Sequence, residues 1–358
     1  MEETLKNRRK IKWSLKTKPW YIKFTNVEYW PSWFFYIPVW IQHGWLAIKT
    51  KNLFFFLSTN PAIDGFILSD SKFKTLQLVP NVFKPNMLFV RINTSAKKVF
   101  EGMEIANINF PIILKPDIGF RGLKVSKIDT INMLESALAD LRVDHIIQEY
   151  IEAPLEIGIF YYRYPNESKG YIPSFTIKAF LEIKGDGKHT LAELINQNPR
   201  AILHKDKLNK KFNKTWNTII SEGEIVTLEK IGNHNRGTQF INGNDLVDDA
   251  LLKVFDNLSH SMKDFYFGRF DIKVASIEAL KMGENYKILE VNGVGGEPTH
   301  IYDANTSIFK AWKDLCFTWR VAAKIALINF EKGIEKPTYR NAKIKWNLYT
   351  SYKTKLYS

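Results

Sequence analysis

The chain has 358 residues, room for two or three packed subdomains, and 45% hydrophobic content with a mean hydropathy of −0.23 excludes a disordered polymer. A formal charge of +14 predicts attraction to polyanions: nucleotide phosphates, acidic substrates, anionic lipid or nucleic acid. One cysteine, Cys316, excludes an internal disulfide and a cysteine-based zinc site, and with no visible signal peptide the expected location is cytoplasmic.

The first 18 residues carry Lys6, Arg8, Arg9, Lys10, Lys12, Lys16 and Lys18, with no acid after Glu3. An aromatic region follows from Trp20 to Leu57. Its apolar run, Trp33 to Ile48, is shorter than the ~20 residues of a membrane span and is interrupted by Pro38, Gln42 and His43. Trp and Tyr beside basic residues suit contact of residues 1–57 with an anionic membrane surface or an acyl chain, and a buried aromatic core suits the same residues. Asn60-Pro61-Ala62-Ile63-Asp64-Gly65 is a turn-rich boundary. The expected division is 1–65, 66–147, 148–330 and a basic tail, 331–358.

Ser71 opens a short helix containing Lys72. Met87–Val90 reads as a strand and Thr94–Met103 as a helix capped by Thr94 or Ser95. The apolar strand 110–116 ends in Lys115-Pro116, and a loop with Gly119, Arg121 and Gly122 precedes a strand over 123–128. A helix is predicted over 131–142, strands over 145–151, 156–163 and 174–183, and a turn at Gly185-Asp186-Gly187. Thr190 and Glu193 form a capping-box pattern. Residues 203–214 are basic, an exposed helix or flap. Helices are expected over 246–263 and 308–330, and the last residues of the tail from Lys336 are expected to be mobile.

Two alternating runs, Phe267 to Val274 and Tyr286 to Val291, predict a hairpin turning through Lys281-Met282-Gly283-Glu284-Asn285 and ending in a glycine loop, 293–296. It would gather Asp271, Glu290 and Asn292 on one polar face, since residues two apart point the same way. Two carboxylates and an amide are hard oxygen ligands suited to Mg²⁺ holding substrate phosphates, with Arg269 beside them.

The order of these motifs, over about 71–305, resembles the ATP-grasp superfamily of carboxylate–amine ligases, which includes D-alanine–D-alanine ligase and glutathione synthetase. Gly185-Asp186-Gly187-Lys188-His189-Thr190 is similar to a segment of cyanophycin-synthetase-like members. The resemblance implies an α/β (α+β) chain whose two lobes of antiparallel and mixed sheets clamp ATP, preceded by an atypical aromatic-rich region. It implies that Lys72, Lys115 and Lys178 meet phosphates. The loop amides around Gly119 and Gly122, with Arg121, would cradle them. The hinge Gln148-Glu149-Tyr150-Ile151 would take adenine and Glu156 the ribose. Asp271, Glu290 and Asn292 would hold two Mg²⁺ ions, with Mn²⁺ as a substitute. Arg269 and the amides of Gly295 and Gly296 would stabilise an oxyanion, and His300 is a further candidate for substrate contact. The partners implied are ATP with small-molecule carboxylate and amine substrates, and a homodimer is compatible. No His-Gly-x-x-Gly-Glu motif follows His43-Gly44, so D-alanine is not the expected substrate. Two alternatives are a catalytically silent nucleotide-binding protein and a basic nucleic-acid-binding protein, the latter lacking any recognised motif.

Overall fold

A computed structural model describes residues 18–66, 69–119 and 122–357. In chain order these form α1 (Pro19–Thr25), α2 (Ser32–Thr50), α3 (Lys72–Gln77), β1 (Met87–Val90), α4 (Ala96–Ile105), β2 (Ile112–Pro116), β3 (Ser126–Ile128), α5 (Ile131–Ala139), β4 (His145–Glu149), β5 (Leu155–Arg163), β6 (Gly170–Ala179) and β7 (Leu181–Lys184). Then come α6 (Leu191–Gln197), α7 (Lys205–Lys211), β8 (Ile225–Glu229), β9 (Gln239–Asn242), α8 (Asp249–Ser261), β10 (Phe267–Val274), α9 (Ile277–Met282), β11 (Tyr286–Asn292), α10 (Ile308–Glu331) and α11 (Tyr339–Tyr357). The expected mixed α/β chain with antiparallel sheets is the one observed. The chain divides into two compact units, Met1–Pro31 with Phe180–Gln239, and Ser32–Ala179 with Phe240–Ser358.

In the first unit, β7 pairs with β8, and Leu181, Ile183, Leu191, Ile195, Leu208 and Leu228 form its core. The expected capping box is present: the Thr190 side chain accepts from the Glu193 amide at 3.3 Å while Glu193 accepts from the Thr190 amide at 2.9 Å. Asp186 accepts from the amides of Lys188 and His189, both at 2.9 Å, so this segment is a self-bonded turn. Glu28 is buried and accepts from Arg200 at 2.7 and 2.8 Å and from His234 at 2.8 Å. Burial opposes its charge, yet His234 and Arg200 hold its carboxyl below the ordinary range.

The second unit contains two larger sheets. The four-stranded one runs β1-β4-β2-β3, with Val99 and Met103 of α4 and Leu134 of α5 packed on Val90, Ile112, Leu114 and Ile147. Its other face carries Ile113, Lys115, Ile146 and Gln148, because alternate residues of a strand point to opposite faces. The five-stranded sheet runs β11-β10-β5-β6-β9. One face, with Ile157, Ile159, Tyr161, Phe270, Ile272 and Ile288, packs on Leu251, Phe255 and Leu258 of α8. The opposite face is divided along its strands. Phe160, Tyr162 and Phe267 are covered by Val321, Ala322 and Ile325 of α10, whereas the other end carries Glu156, Lys178, Arg269, Asp271 and Lys273.

Four sequence expectations are corrected. The link between β10 and β11 is not a simple turn but includes α9, capped by Ser276 and stopped by Gly283 at φ +78°. The strand expected over 174–183 breaks at Phe180 into β6 and β7, which join different sheets. The strand expected from Leu123 begins at Ser126, because Gly122 and Lys124 take positive φ (69° and 51°) in a turn. The tail is helical: α11 buries Ala342, Tyr349 and Leu356 at heptad spacing, and the Tyr352 hydroxyl donates to the Asp144 carbonyl at 2.9 Å. Pro38 sits inside α2, and the Phe34 carbonyl that it cannot serve accepts the Trp312 indole N–H at 3.1 Å instead.

Candidate active site

The polar end of the five-stranded sheet follows from its register. Asp271 lies opposite Glu290, and Arg269 opposite Asn292, so all four side chains share one face. A bulge between Asp271 and Ile272 leaves Leu289 of β11 outside the pairing. Because of that extra residue, Ile288 and Val291 can both face the core while Glu290 and Asn292 face the site. The Leu289 carbonyl accepts from the Lys115 ammonium at 3.1 Å and from the Gln148 amide at 3.2 Å. The bulge thereby connects the two sheets of this unit at the site.

Asp271 is the centre of the network. Its oxygens receive Arg269 at 3.2 and 3.0 Å, Lys178 at 3.0 Å and the Asn292 amide at 3.2 Å. Burial opposes ionisation of Asp271, but Arg269 and Lys178 outweigh it and hold the carboxyl well below the usual range. Lys178 also donates to Glu156 at 2.9 Å, and against the cost of burial Asp271 and Glu156 raise its pKa. Gly158 makes room for this cluster: a Cβ there would lie 3.1 Å from Thr299 Oγ1 and 3.5 Å from Asp271 Oδ1. Glu290 is more open, with a side chain 27% exposed and Lys72 at 3.8 Å.

The lysines of the smaller sheet and of α3 rest mainly on neutral oxygens. Lys115 donates to the Gln148 side chain at 3.0 Å and to Leu289 O. Burial lowers its pKa to about 8, Glu290 countering only in part. Lys72 donates to the Gly119 carbonyl at 2.8 Å. Asp117 positions it: the Asp117 carbonyl accepts the Lys72 amide at 3.0 Å, and its carboxylate accepts Ser71 Oγ and the Phe73 amide, both at 2.9 Å. Gly122 ends the same loop in the left-handed region, while Arg121 lies outside the described residues.

Of the four residues expected to form a hinge, two lie within the four-stranded sheet and two beyond it. Gln148 and Glu149 are the last residues of β4, and the Glu149 carboxylate accepts the Asn86 amide at 3.0 Å. Tyr150 and Ile151 lie in the connection to β5, where Lys127 and Lys273 stand over the Tyr150 ring at 4.8 and 5.5 Å. Glu156 is drawn into the ion network through Lys178. The Gly296 amide does not stand free for an oxyanion as expected, because it donates to the Gly293 carbonyl at 2.9 Å within the loop; Gly295 occupies the same turn. His300 is buried and its Nε2 pairs with Asp314 at 2.9 Å, which turns that nitrogen toward α10.

Sequence reasoning missed three groups. Asp70 accepts the Gly293 amide at 3.1 Å, and burial raises its pKa to about 6, although that hydrogen bond and Lys72 pull the other way. Thr299 bonds Thr176 at 2.9 Å beside Asp271. Glu297 accepts from the hydroxyls of Tyr36 at 2.5 Å and Tyr302 at 2.7 Å, and its carbonyl accepts from Arg269 at 3.2 Å. It lines a narrow cleft, with room for little more than a water molecule, together with Tyr36, Phe267, Gly296, Pro298 and Trp319. The only signal for Glu297 was its place directly after a glycine loop.

The donor set fits a magnesium ion. Among the described residues no cluster of three or more His, Cys, Asp or Glu side chains could hold a metal. Mg²⁺, however, is ordinarily held by one or two carboxylates together with substrate phosphates. Glu290 and the Asn292 side-chain oxygen would be the donors nearest to hand, and Asp271 would have to exchange one of its present partners.

No protein-family model matches the sequence, and no curated protein matches it. Among solved structures the chain is similar to a bifunctional glutathione synthetase from Pasteurella multocida, at 15% identity and a TM-score of 0.38, covering 73% of this chain and 36% of that one. It is also similar to the VanG D-Ala:D-Ser ligase from Enterococcus faecalis, at 12% identity and a TM-score of 0.40, covering 71% of this chain and 62% of that one. A third is D-alanine–D-alanine ligase from Bacillus anthracis, at 14% identity and a TM-score of 0.38, covering 70% of this chain and 67% of that one. The chain therefore spans about a third of the length of the first of these and under two-thirds of the second.

Proposed function

We propose that the chain is an ATP-dependent carboxylate–amine ligase of the ATP-grasp type. The observation that carries this reading is Lys115: a buried ammonium whose hydrogen-bond partners are a side-chain amide oxygen and a main-chain carbonyl, across from the Asp271–Glu290 pair. A cation that burial pushes down to about 8 gains most from a polyanion placed beside it. Lys72, Lys115 and Lys178 would hold ATP phosphates as point charges. Asp271, Glu290 and Asn292 would hold Mg²⁺, which when bound neutralises charge on the phosphate oxygens.

The substrate carboxylate attacks the γ-phosphorus, forming an acyl phosphate as ADP leaves. The amine then attacks the acyl carbon, the C–O bond to phosphate breaks and the amine loses a proton. Arg269 spends three of its five N–H groups on Asp271 and the Glu297 carbonyl, leaving two for the oxyanion. D-alanine is not the expected substrate of this reaction.

The test is ADP release with Mg²⁺ across amino acids, dipeptides and fatty acids, with mass spectrometry of products. Substrate-dependent ADP and an amide product are expected. One observation favours the alternative of a nucleotide binder without turnover, namely the saturation of Asp271 by Arg269, Lys178 and Asn292. Nucleotide binding with no ADP from any acid–amine pair would establish that alternative.

A further inference from the structure

Helix α2 is apolar on two opposite sides, and among the described residues only one of them is covered. Phe35, Val39 and Leu46 are buried, and Gln42 donates to the Cys316 carbonyl of α10 at 2.8 Å, fixing that side inward. On the other side Trp33, Trp40, Ile41, Trp45 and Ile48 are exposed by 56, 58, 76, 55 and 78%. Their spacing puts them in one stripe, about 22 Å long at 1.5 Å per residue. The stripe continues onto α10 through Trp33–Phe34, Phe34–Trp312 and Trp312–Phe309 ring contacts of 5.8, 5.5 and 5.7 Å, and Phe309 is 74% exposed. Among the described residues no helix is long and apolar enough to cross a membrane, so this surface is not a span.

Among the described residues, the charged side chains seen to contact α2 along this side are basic. Helix α2 contains no Asp or Glu. Lys49 stands over the Trp45 ring at 5.2 Å. Arg320 of α10 is exposed and donates to Gln42 at 3.0 Å, so the exposed face of α10 bearing Phe309, Lys313 and Arg320 borders the stripe. The one acid in that part of α10, Asp314, is engaged by His300 and Lys310.

We propose that this face of α2 docks on an anionic lipid surface, lying in the plane of the interface. Tryptophan suits that depth because its ring is apolar and its N–H is polar, and isoleucine supplies buried area. A second copy is disfavoured by the same charges, since two-fold contact would bring the basic borders together. An anionic headgroup layer complements them. Tyr36, on the inner half of α2, bonds Glu297 beside Arg269, so the docking helix also forms a wall of the cleft described above.

The experiment is flotation of the full chain with vesicles of phosphatidylcholine alone and of phosphatidylcholine with phosphatidylserine. Binding to the anionic vesicles, weakened by salt, is expected. Trp40→Ser, Ile41→Ser and Trp45→Ser combined should lower it by roughly 100-fold, as three large exposed apolar groups are withdrawn. Lys49→Gln with Arg320→Gln should lower it by roughly tenfold and flatten its salt dependence. Unchanged flotation of the triple variant would mean that the basic residues before Lys18 act alone, and would overturn the proposal. So would equal binding to neutral vesicles, or a dimer of the parent that the triple variant dissolves. Should that variant lose its fold, hydrogen exchange of the parent decides: vesicles should protect 33–48, and no added protection there rejects the docking.

Discussion

The two ends of one sheet face behave oppositely, although β5 and β10 run through both. At one end Phe160, Tyr162 and Phe267 are sealed by α10. At the other, Glu156, Lys178, Arg269 and Asp271 make a network whose cations are supplemented by Lys115 and Lys72 from outside the sheet. The aromatic end gains free energy by excluding water and needs nothing further. The polar end loses hydration for every charge it holds, which only good pairing or a ligand offsets. The difference teaches that what covers the face, and not the strands themselves, separates a sealed end from a charged one.

The largest effect that would sharpen this contrast is on turnover. Glu290→Gln should lower ATP turnover by roughly 1,000-fold with an unchanged melting temperature, because Glu290 is partly exposed and only loosely paired. Asp271→Asn should lower turnover as much but also destabilise the fold by about 3 kcal/mol, since Arg269 and Lys178 would lose their shared anion. ADP release and thermal unfolding, measured on both variants, separate the two. Wild-type turnover by Glu290→Gln would break the assignment of the polar end.

The aromatic end should respond in the reverse sense. Phe160→Ala is expected to cost about 3–5 kcal/mol in denaturant unfolding, the usual penalty for emptying a large buried ring position. Nucleotide affinity per folded molecule should stay unchanged. A smaller effect is expected of Lys115→Met, which should weaken nucleotide binding by roughly tenfold to 100-fold while leaving unfolding free energy equal or higher, because a buried cation is removed.

The smallest effect is on pH. The Lys115 ammonium titrates near 8 in the folded protein and at 10.5 when unperturbed. The folded state therefore holds fewer protons between these values, so this group's contribution to stability is fully present above 10.5 and is lost as pH falls to 8. Binding runs the other way: a phosphate beside Lys115 raises its pKa, so affinity should decline above pH 8 with proton uptake on binding. Calorimetry in buffers of different ionisation enthalpy measures that uptake, and its absence in Lys115→Met would tie it to this residue.

Much of the site was legible because it follows the two-residue period. Arg269 and Asp271 alternate with Phe270 and Ile272, and Glu290 with Val291, so their common face could be read before any fold was known. Groups delivered by loops were not legible. Asp70, Glu297 and Thr299 reach the site through tertiary contacts with Gly293, Tyr36 and Thr176. Helix α9 was read as a turn because Gly283 and Asn285 dominate the local signal, whereas its start depends on the Ser276 cap. Helix α11 was missed because Asn, Thr and Tyr are weak helix formers, and its three buried positions hold it in place of propensity.

The unpaired residue in β11 has one last implication. Leu289 contributes a main-chain oxygen, which any amino acid possesses, so position 289 should accept most replacements and reject removal. Excising it would leave Ile288, Glu290 and Val291 pointing as they do now, yet Lys115 would keep only the Gln148 oxygen and the two sheets would lose the carbonyl that ties them together. Such a site is written in chain length and not in letters, which is why comparing side chains alone passes over it.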